Sequence, residues 1–274
     1  MRLLFLGDIV GKAGRAAVIK QVPHLIDEYH LDFVVANGEN AAGGFGITEK
    51  ICKDILNSGV DVITLGNHAF DQREVLTFID RQDQLIRPIN YPKGTPGRGS
   101  NLFKAKNGAC VLVINVNGTL FMEGLDDPFA ALENELLSCP LRKQADFIFI
   151  DVHAEATSEK QCIGFYADGR ATVVAGTHTH VPTADHRILP YGTAYISDVG
   201  MCGDYNSVIG MNKNESLNRF STKIKSQRLE PASGPVTISG IIVEASDNTG
   251  LALSIAQLRL GGILESTIRS SSTL

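Results

Sequence analysis

The sequence predicts an α/β fold of two packed, mixed sheets with helices outside. Three observations carry this. The first third alternates short apolar runs with helix-period stretches, a β-α-β-α-β rhythm that calls for a largely parallel sheet covered by helices. The last third is richer in strand and carries a hairpin signature. The chain has 274 residues, 43% of them hydrophobic, enough for a substantial core.

Residues 2–7 read as the first strand. A helix follows over 13–29, where Val18, Val22, Leu25, Ile26 and Tyr29 share a face. Pro23 falls inside that pattern and is expected to kink or divide the helix, because proline removes a backbone donor. Residues 32–37 form a second strand, and the AAGGFG segment after it a turn. Thr48 is placed to cap a helix running to about Asn57. A third strand spans 61–66, with a helix near 71–81 behind it. KGTPGRGS is a loop. NLFKAK and ACVLVINV flank Asn107-Gly108, a strong hairpin signal. A helix near 128–137, a strand at 146–151 and a helix near 157–165 come next. VTISGIIVEAS and LALSIAQLRL flank residues 247–250 and should pair as an antiparallel hairpin. No linker divides the chain, so one domain over 1–274 is expected, with a loose tail at about 268–274.

The net charge of −5 argues against an extended nucleic-acid groove, whose affinity comes from Lys/Arg contacts to phosphates. The five cysteines are odd in number and form no CxxC, which fits a reducing compartment. The N-terminal apolar run is too short for a signal peptide, and no run approaches a membrane span. The expected location is therefore cytoplasmic, with no membrane partner.

Five apolar runs each stop at residues that bind metals: at Asp8, at Glu39-Asn40, at Asn67-His68, at His153, and at His178 and His180. A short apolar run bounded by turn residues reads as a buried strand. Catalytic groups of open α/β sheets gather beyond the strands' carboxyl ends. Asp8 and Glu39 offer anionic oxygens, Asn40 and Asn67 amide oxygens, and the three histidines imidazole nitrogens. This mixture suits manganese, iron or zinc, and the absence of cysteine argues against a structural zinc cluster. His178 and His180 are two residues apart, so an extended backbone would point both to one side.

Two divalent ions bring four positive charges. Asp8, Glu39 and one hydroxide remove three and leave about +1, which favours a phosphate ligand. Metal binding brings the pKa of water down to roughly 7, and two ions about 3.5–4 Å apart clamp attacking and leaving oxygens. Glu39 is the expected bridge. His68 is the expected acid for the leaving oxygen, a role typically worth about 10²–10⁴-fold.

Gly7-Asp8, Gly38-Glu39-Asn40, Gly66-Asn67-His68, His153 and Gly176-Thr177-His178-Thr179-His180 resemble, in order, the blocks of the calcineurin-like metallophosphoesterases (GDxH, GDxxD, GNHD/E, a lone His, GHxH). The chain departs from that pattern at Val10, where the histidine is lost, and at Glu39, where aspartate is usual. Those departures are similar to the YmdB-like bacterial phosphodiesterase branch, as are GDIVGKAGR, NGENAAGGFGIT, TLGNHAFD, DVHAEATSEK, AGTHTHVPTAD and ISDVGM. The resemblance covers residues 2 to about 260.

It implies an α-β-β-α four-layer sandwich with two divalent ions, iron or manganese favoured and zinc or magnesium as alternatives. It implies that Asp8, Glu39, Asn40 and His180 hold one ion and that Glu39, Asn67, His153 and His178 hold the other. Asn40 would replace the lost histidine. It further implies a small phosphodiester substrate, namely a cyclic nucleotide with the 2′,3′-cyclic class favoured over the 3′,5′-cyclic class, and it admits a homo-oligomer. The competing readings are a phosphomonoesterase, and a metal-loaded regulatory or RNA-associated protein with little catalysis.

Other residues take blander readings. His24 and His30 are structural, and so in the main is His186. Cys202 is a small core or loop residue and not a nucleophile. AAGGFG is read equally as a plain turn or a phosphate cradle. Arg98 sits on a surface loop within reach of a phosphate. The Gly7–Gly14 segment matches neither the dinucleotide fingerprint nor the P-loop.

Overall fold

The computed structural model describes residues 1–267, so the tail expected at about 268–274 lies outside the described residues. The strands are β1 (Arg2–Leu6), β2 (Asp8–Ile9), β3 (Phe33–Asn37), β4 (Val62–Thr64), β5 (Leu85–Ile86), β6 (Ser100–Lys104), β7 (Cys110–Asn117), β8 (Phe147–His153), β9 (Val173–Thr177), β10 (Arg187–Ile188), β11 (Ala194–Ile196), β12 (Met201–Asp204), β13 (Val236–Ala245) and β14 (Ala252–Leu260). The helices are α1 (Gly11–Tyr29), α2 (Glu49–Leu56), α3 (Val75–Phe78), α4 (Pro128–Ser138), α5 (Thr157–Tyr166) and α6 (Lys213–Thr222).

One sheet runs β2-β12-β13-β1-β3-β4-β5, with β14 paired to β13; the other runs β10-β11-β9-β8-β7-β6. Both are mixed. β1, β3, β4 and β5 are parallel, and β13 joins them antiparallel. β7, β8, β9 and β11 are parallel, with β6 and β10 antiparallel at the edges.

Strand side chains alternate between faces, and here the alternation builds the layers. Leu3 and Phe5 of β1, and Phe33 and Val35 of β3, meet Val111, Val113, Phe147 and Phe149 between the sheets. Phe5 and Phe149 lie with ring centroids 4.7 Å apart. Leu4, Leu6, Val34 and Ala36 face outward onto Val18, Val22 and Leu25 of α1 and Ile55 of α2. Leu112, Ile114, Ile148 and Ile150 face Leu132 and Leu136 of α4 and Ile163 of α5. Each such side chain, fully buried, contributes roughly 1.5–3 kcal/mol. The order is α-β-β-α, the sandwich expected from the sequence.

Two local expectations are corrected. α1 is not divided at Pro23; it runs unbroken, because Pro23 is on the exposed face, where water can take the carbonyl that its missing N–H leaves free. The helix expected over 71–81 shrinks to α3 and a 3₁₀ turn at Ile79–Arg81, since residues 67–74 wind around the site as turns. Thr48 caps α2 as expected, its hydroxyl accepting from Ile51 N at 3.4 Å. The 100–117 and 236–260 hairpins form as read. The parallel arrangement sends the carboxyl ends of β1, β3, β4, β8 and β9 to one rim, where the ligand-type residues stand.

Candidate metal centre

Seven of the eight residues singled out from the sequence converge on this rim with their polar atoms facing one another, and His68 stands beside them. Asp8, Glu39, Asn40, His153 and His180 are buried; Asn67, His68 and His178 are half-buried.

One half of the site is centred on His153 Nε2. Three electron-rich atoms surround it: Asn67 Oδ1 at 2.9 Å, Glu39 Oε1 at 3.0 Å and His178 Nδ1 at 3.0 Å. The tautomer follows from the neighbours. Thr177 Oγ1 donates to Asp151 Oδ1 at 2.7 Å, so it accepts from His153 Nδ1 at 2.9 Å and leaves the Nε2 lone pair facing the cleft. His178 Nε2 sits 3.2 Å from Glu155 Oε2, so its hydrogen points there and Nδ1 presents a lone pair. Glu39, His153 and His178 therefore offer a cluster able to hold a metal ion.

The other half joins Asp8, Asn40 and His180. His180 Nδ1 donates to the Ile209 carbonyl at 2.8 Å, which turns the Nε2 lone pair toward Asn40 Oδ1 at 3.2 Å and Asp8 Oδ1 at 3.7 Å. Asn40 is oriented by its own amide, which donates to Gly44 O at 3.0 Å. Asp8 Oδ2 accepts from His178 N at 3.2 Å, but Asp8 Oδ1 is buried with no hydrogen-bond partner. A buried carboxylate oxygen without a donor is costly, and acceptors facing acceptors would be joined by a cation. The donor set of carboxylate, amide and imidazole fits a divalent ion.

The electrostatics agree. Burial opposes charging His153, but Glu39, Asp8 and Asp151 outweigh it and raise its pKa; burial opposes charging Glu39, but His153 and His68 lower its pKa. In the metal-free protein the acids thus draw a proton onto His153, and a cation bound in the cleft would take that proton's place. His178, buried and beside His153, is pushed down to about 3 and stays neutral, as a ligand nitrogen must.

His68 stands apart from the ligand atoms. Its backbone N–H donates to Glu39 Oε2 at 3.1 Å, and its Nδ1 faces Asp71 Oδ2 at 2.8 Å, which leaves Nε2 uncommitted. Phe45 packs edge-on against the ring, centroids 5.1 Å apart.

One expectation about geometry is corrected. His178 and His180 do not lie on extended backbone; they form a bend beyond β9, with φ of 95° and 64°. The strand ends at Thr177, and the left-handed turn aims the two rings at different halves of the site.

Sequence reading missed the residues behind the ligands. Asp151 accepts from Thr177, from Thr64 Oγ1 at 2.6 Å and from Asn37 Nδ2 at 3.1 Å. Its place two residues before His153 on β8 was the available signal, since such residues share a face. Glu155, Asp71 and the Ile209 carbonyl left no such mark.

The remaining readings resolve simply. Cys202 is buried and its thiol pushed up to about 12, so it is no thiolate nucleophile. Arg98 pairs with Asp83 at 3.0 Å. His24, His30 and His186 are exposed and make no contact with the site. AAGGFG forms a turn with Gly43, Gly44 and Gly46 at positive φ that presents Asn40, a geometry compatible with either of its two readings. No helix among the described residues is long and apolar enough to cross a membrane.

Comparison with known proteins adds to this geometry. A family model described as YmdB-like protein matches residues 4–258. A 2′,3′-cyclic-nucleotide 2′-phosphodiesterase of Bacillus subtilis is 49% identical over 258 residues, covering 94% of this chain and 96% of that protein. A solved structure of a hypothetical protein from Thermus thermophilus superposes with TM-score 0.88 at 40% identity, covering 96% of this chain and all of that one. A solved structure described as a novel phosphatase of Mycoplasma pneumoniae superposes with TM-score 0.88 at 34% identity, covering 95% of this chain and 93% of the other.

Proposed function

The chain belongs to the YmdB-like protein family, and we propose that it is a dinuclear metal-dependent phosphodiesterase acting on cyclic nucleotides. The 2′,3′-cyclic class is favoured, as the name of the Bacillus subtilis relative suggests, with 3′,5′-cyclic nucleotides a secondary substrate. The observation that carries the reading is the convergence of lone pairs on His153 Nε2 together with the orphaned Asp8 Oδ1. The whole chain is read as one metallophosphoesterase domain, since one apolar layer is shared by both sheets.

Glu39, Asn67, His153 and His178 would hold one ion; Asp8, Asn40 and His180, with Glu39 as bridge, would hold the other. Iron or manganese suits the set best. Bound there, the ions would supply Lewis-acid stabilisation of phosphoryl charge and acidify a water to about neutral pKa. The chain's own residues do the rest. Asp71 takes the Nδ1 hydrogen of His68 and aims Nε2 at the cleft, where its proton is available to the departing alkoxide. Thr177 and Asp151 keep His153 in one tautomer, and Glu155 does the same for His178.

The test is purification under anaerobic conditions with elemental analysis, then a panel of 2′,3′- and 3′,5′-cyclic nucleotides. Two metal equivalents and turnover of the 2′,3′ class support the reading; a chain free of metal and unable to take any up removes it. The description of the Mycoplasma pneumoniae relative favours a second reading, phosphomonoesterase activity at the same site. Parallel assays of bis-p-nitrophenyl phosphate and p-nitrophenyl phosphate separate the two.

A further inference from the structure

Two sequence blocks, DVHAEATSEK and ISDVGM, contain residues the proposed chemistry leaves unused: Lys160 on α5, and Asp198 between β11 and β12. Both are buried, Lys160 at 0% and Asp198 at 1% exposure, and Lys160 Nζ donates to Asp198 Oδ2 at 2.8 Å. Burying such a pair carries a heavy desolvation cost, so it is a poor way merely to gain stability.

The partners of Asp198 show what the pair holds. Its Oδ2 also accepts from Thr179 N at 3.0 Å and Thr179 Oγ1 at 2.8 Å, and its Oδ1 accepts from Gly200 N at 2.8 Å. Its backbone closes a further pair of bonds: Asp198 N donates to Thr183 Oγ1, and Thr183 N donates to Asp198 O, each at 3.0 Å. Asp198 therefore grips the 179–183 segment at both ends, and Thr179 lies between the two histidines. The segments are in close apposition. A Cβ at Gly176 would lie 1.8 Å from Ser197 O and 2.9 Å from the Lys160 stem.

The gripped turn is one that does not hold itself. His178 and His180 both have left-handed φ. Such conformations are strained for residues other than glycine and persist only where the surroundings over-determine them. We propose that Lys160 and Asp198 are positioning residues, a buried ion pair that acts through Thr179 to lock the left-handed turn and present His178 and His180 to the two halves of the metal centre. This rests on the metal-centre reading above.

The test measures manganese binding calorimetrically on chelator-stripped protein, beside thermal melts and circular dichroism. Lys160→Met keeps the stem and removes the charge. Lys160→Met/Asp198→Asn removes both charges and leaves no lone buried ion. Both are expected to fold and to bind manganese roughly 10–100-fold more weakly, the usual effect of losing a partner behind the ligands, with turnover partly recovered by excess manganese. Folded variants with wild-type manganese affinity, whatever their melting temperature, would overturn the proposal. If neither folds, Thr179→Val decides, since it removes one hydroxyl: a threefold or greater loss of affinity supports the proposal and an unchanged affinity overturns it. A wild-type chain that binds no manganese strikes the metal centre itself, whereas normal binding in wild type and variants alike strikes only the positioning role.

Discussion

Gly66 offers a sharp perturbation because it is no ligand and has no special backbone conformation. It lies between β4 and Asn67, and a Cβ there would stand 2.3 Å from His153 Cδ2 and 2.4 Å from both His153 Cγ and Glu39 Oε2. Those distances fall about 1 Å inside ordinary contact. Neither neighbour has room to yield. His153 is fully buried and tied to Thr177; Glu39 is 1% exposed and tied to the His68 amide. Gly66→Ala must therefore displace one or both groups by about 1 Å. A misplacement of that size costs about 10²-fold in rate, and the overpacking costs typically 1–3 kcal/mol of stability. The assay is manganese titration together with kcat/KM on bis-p-nitrophenyl phosphate. A folded protein with weakened metal binding and about 10²-fold lower kcat/KM is expected. Gly124→Ala, where the new Cβ meets nothing within 4 Å, is the control and should match wild type. Wild-type affinity and turnover in Gly66→Ala would refute the packing argument and with it the claim that Glu39 and His153 share a rigid site.

Glu39→Ala should lose metal and activity together, read by elemental analysis and turnover, because it removes the carboxylate 3.0 Å from His153. His68→Ala should retain metal while kcat falls about 10²–10⁴-fold; unimpaired turnover of a 2′,3′-cyclic nucleotide would remove His68 from the mechanism. Thr177→Val should weaken manganese binding about 10–100-fold by freeing His153 Nδ1, which calorimetry reads directly. The metal-free protein should be most stable in mild acid. The raised pKa of His153 contributes stability that is fully present below about 6.5 and lost as pH climbs through the raised value. Asp151, raised to about 6 chiefly by burial, acts in the same direction but only below that pH, where His178, pushed down to about 3, acts oppositely, so His153 governs the window above. Melts of stripped protein from pH 6 to 9 should show a falling midpoint that added manganese abolishes; a rising midpoint would contradict this assignment of charge.

Much of the layered fold was legible because it is written in local periodicity. Leu3, Leu4, Phe5 and Leu6 alternate between an inner and an outer apolar layer, and that run alone identifies a strand buried on both faces. The ligand-type residues were legible for a related reason: they end such runs, and parallel strands bring their ends to one rim. Pro23 shows the limit of local reading, since α1 runs on across it where it stands on the exposed face.

By itself, then, the sequence determined most of the larger elements, their layering and the chemical types at the rim, since each depends on spacing along the chain. Folding alone decided which nitrogen each histidine turns inward, because the Thr177 hydroxyl, the Ile209 carbonyl and the Glu155 carboxylate come from contacts that no local pattern encodes. It also decided that Lys160 meets Asp198 across 38 residues and that the turn at 178–180 is left-handed. Lone-pair direction and backbone handedness are properties of neighbours brought together in space, and those neighbours exist only once the two sheets have closed.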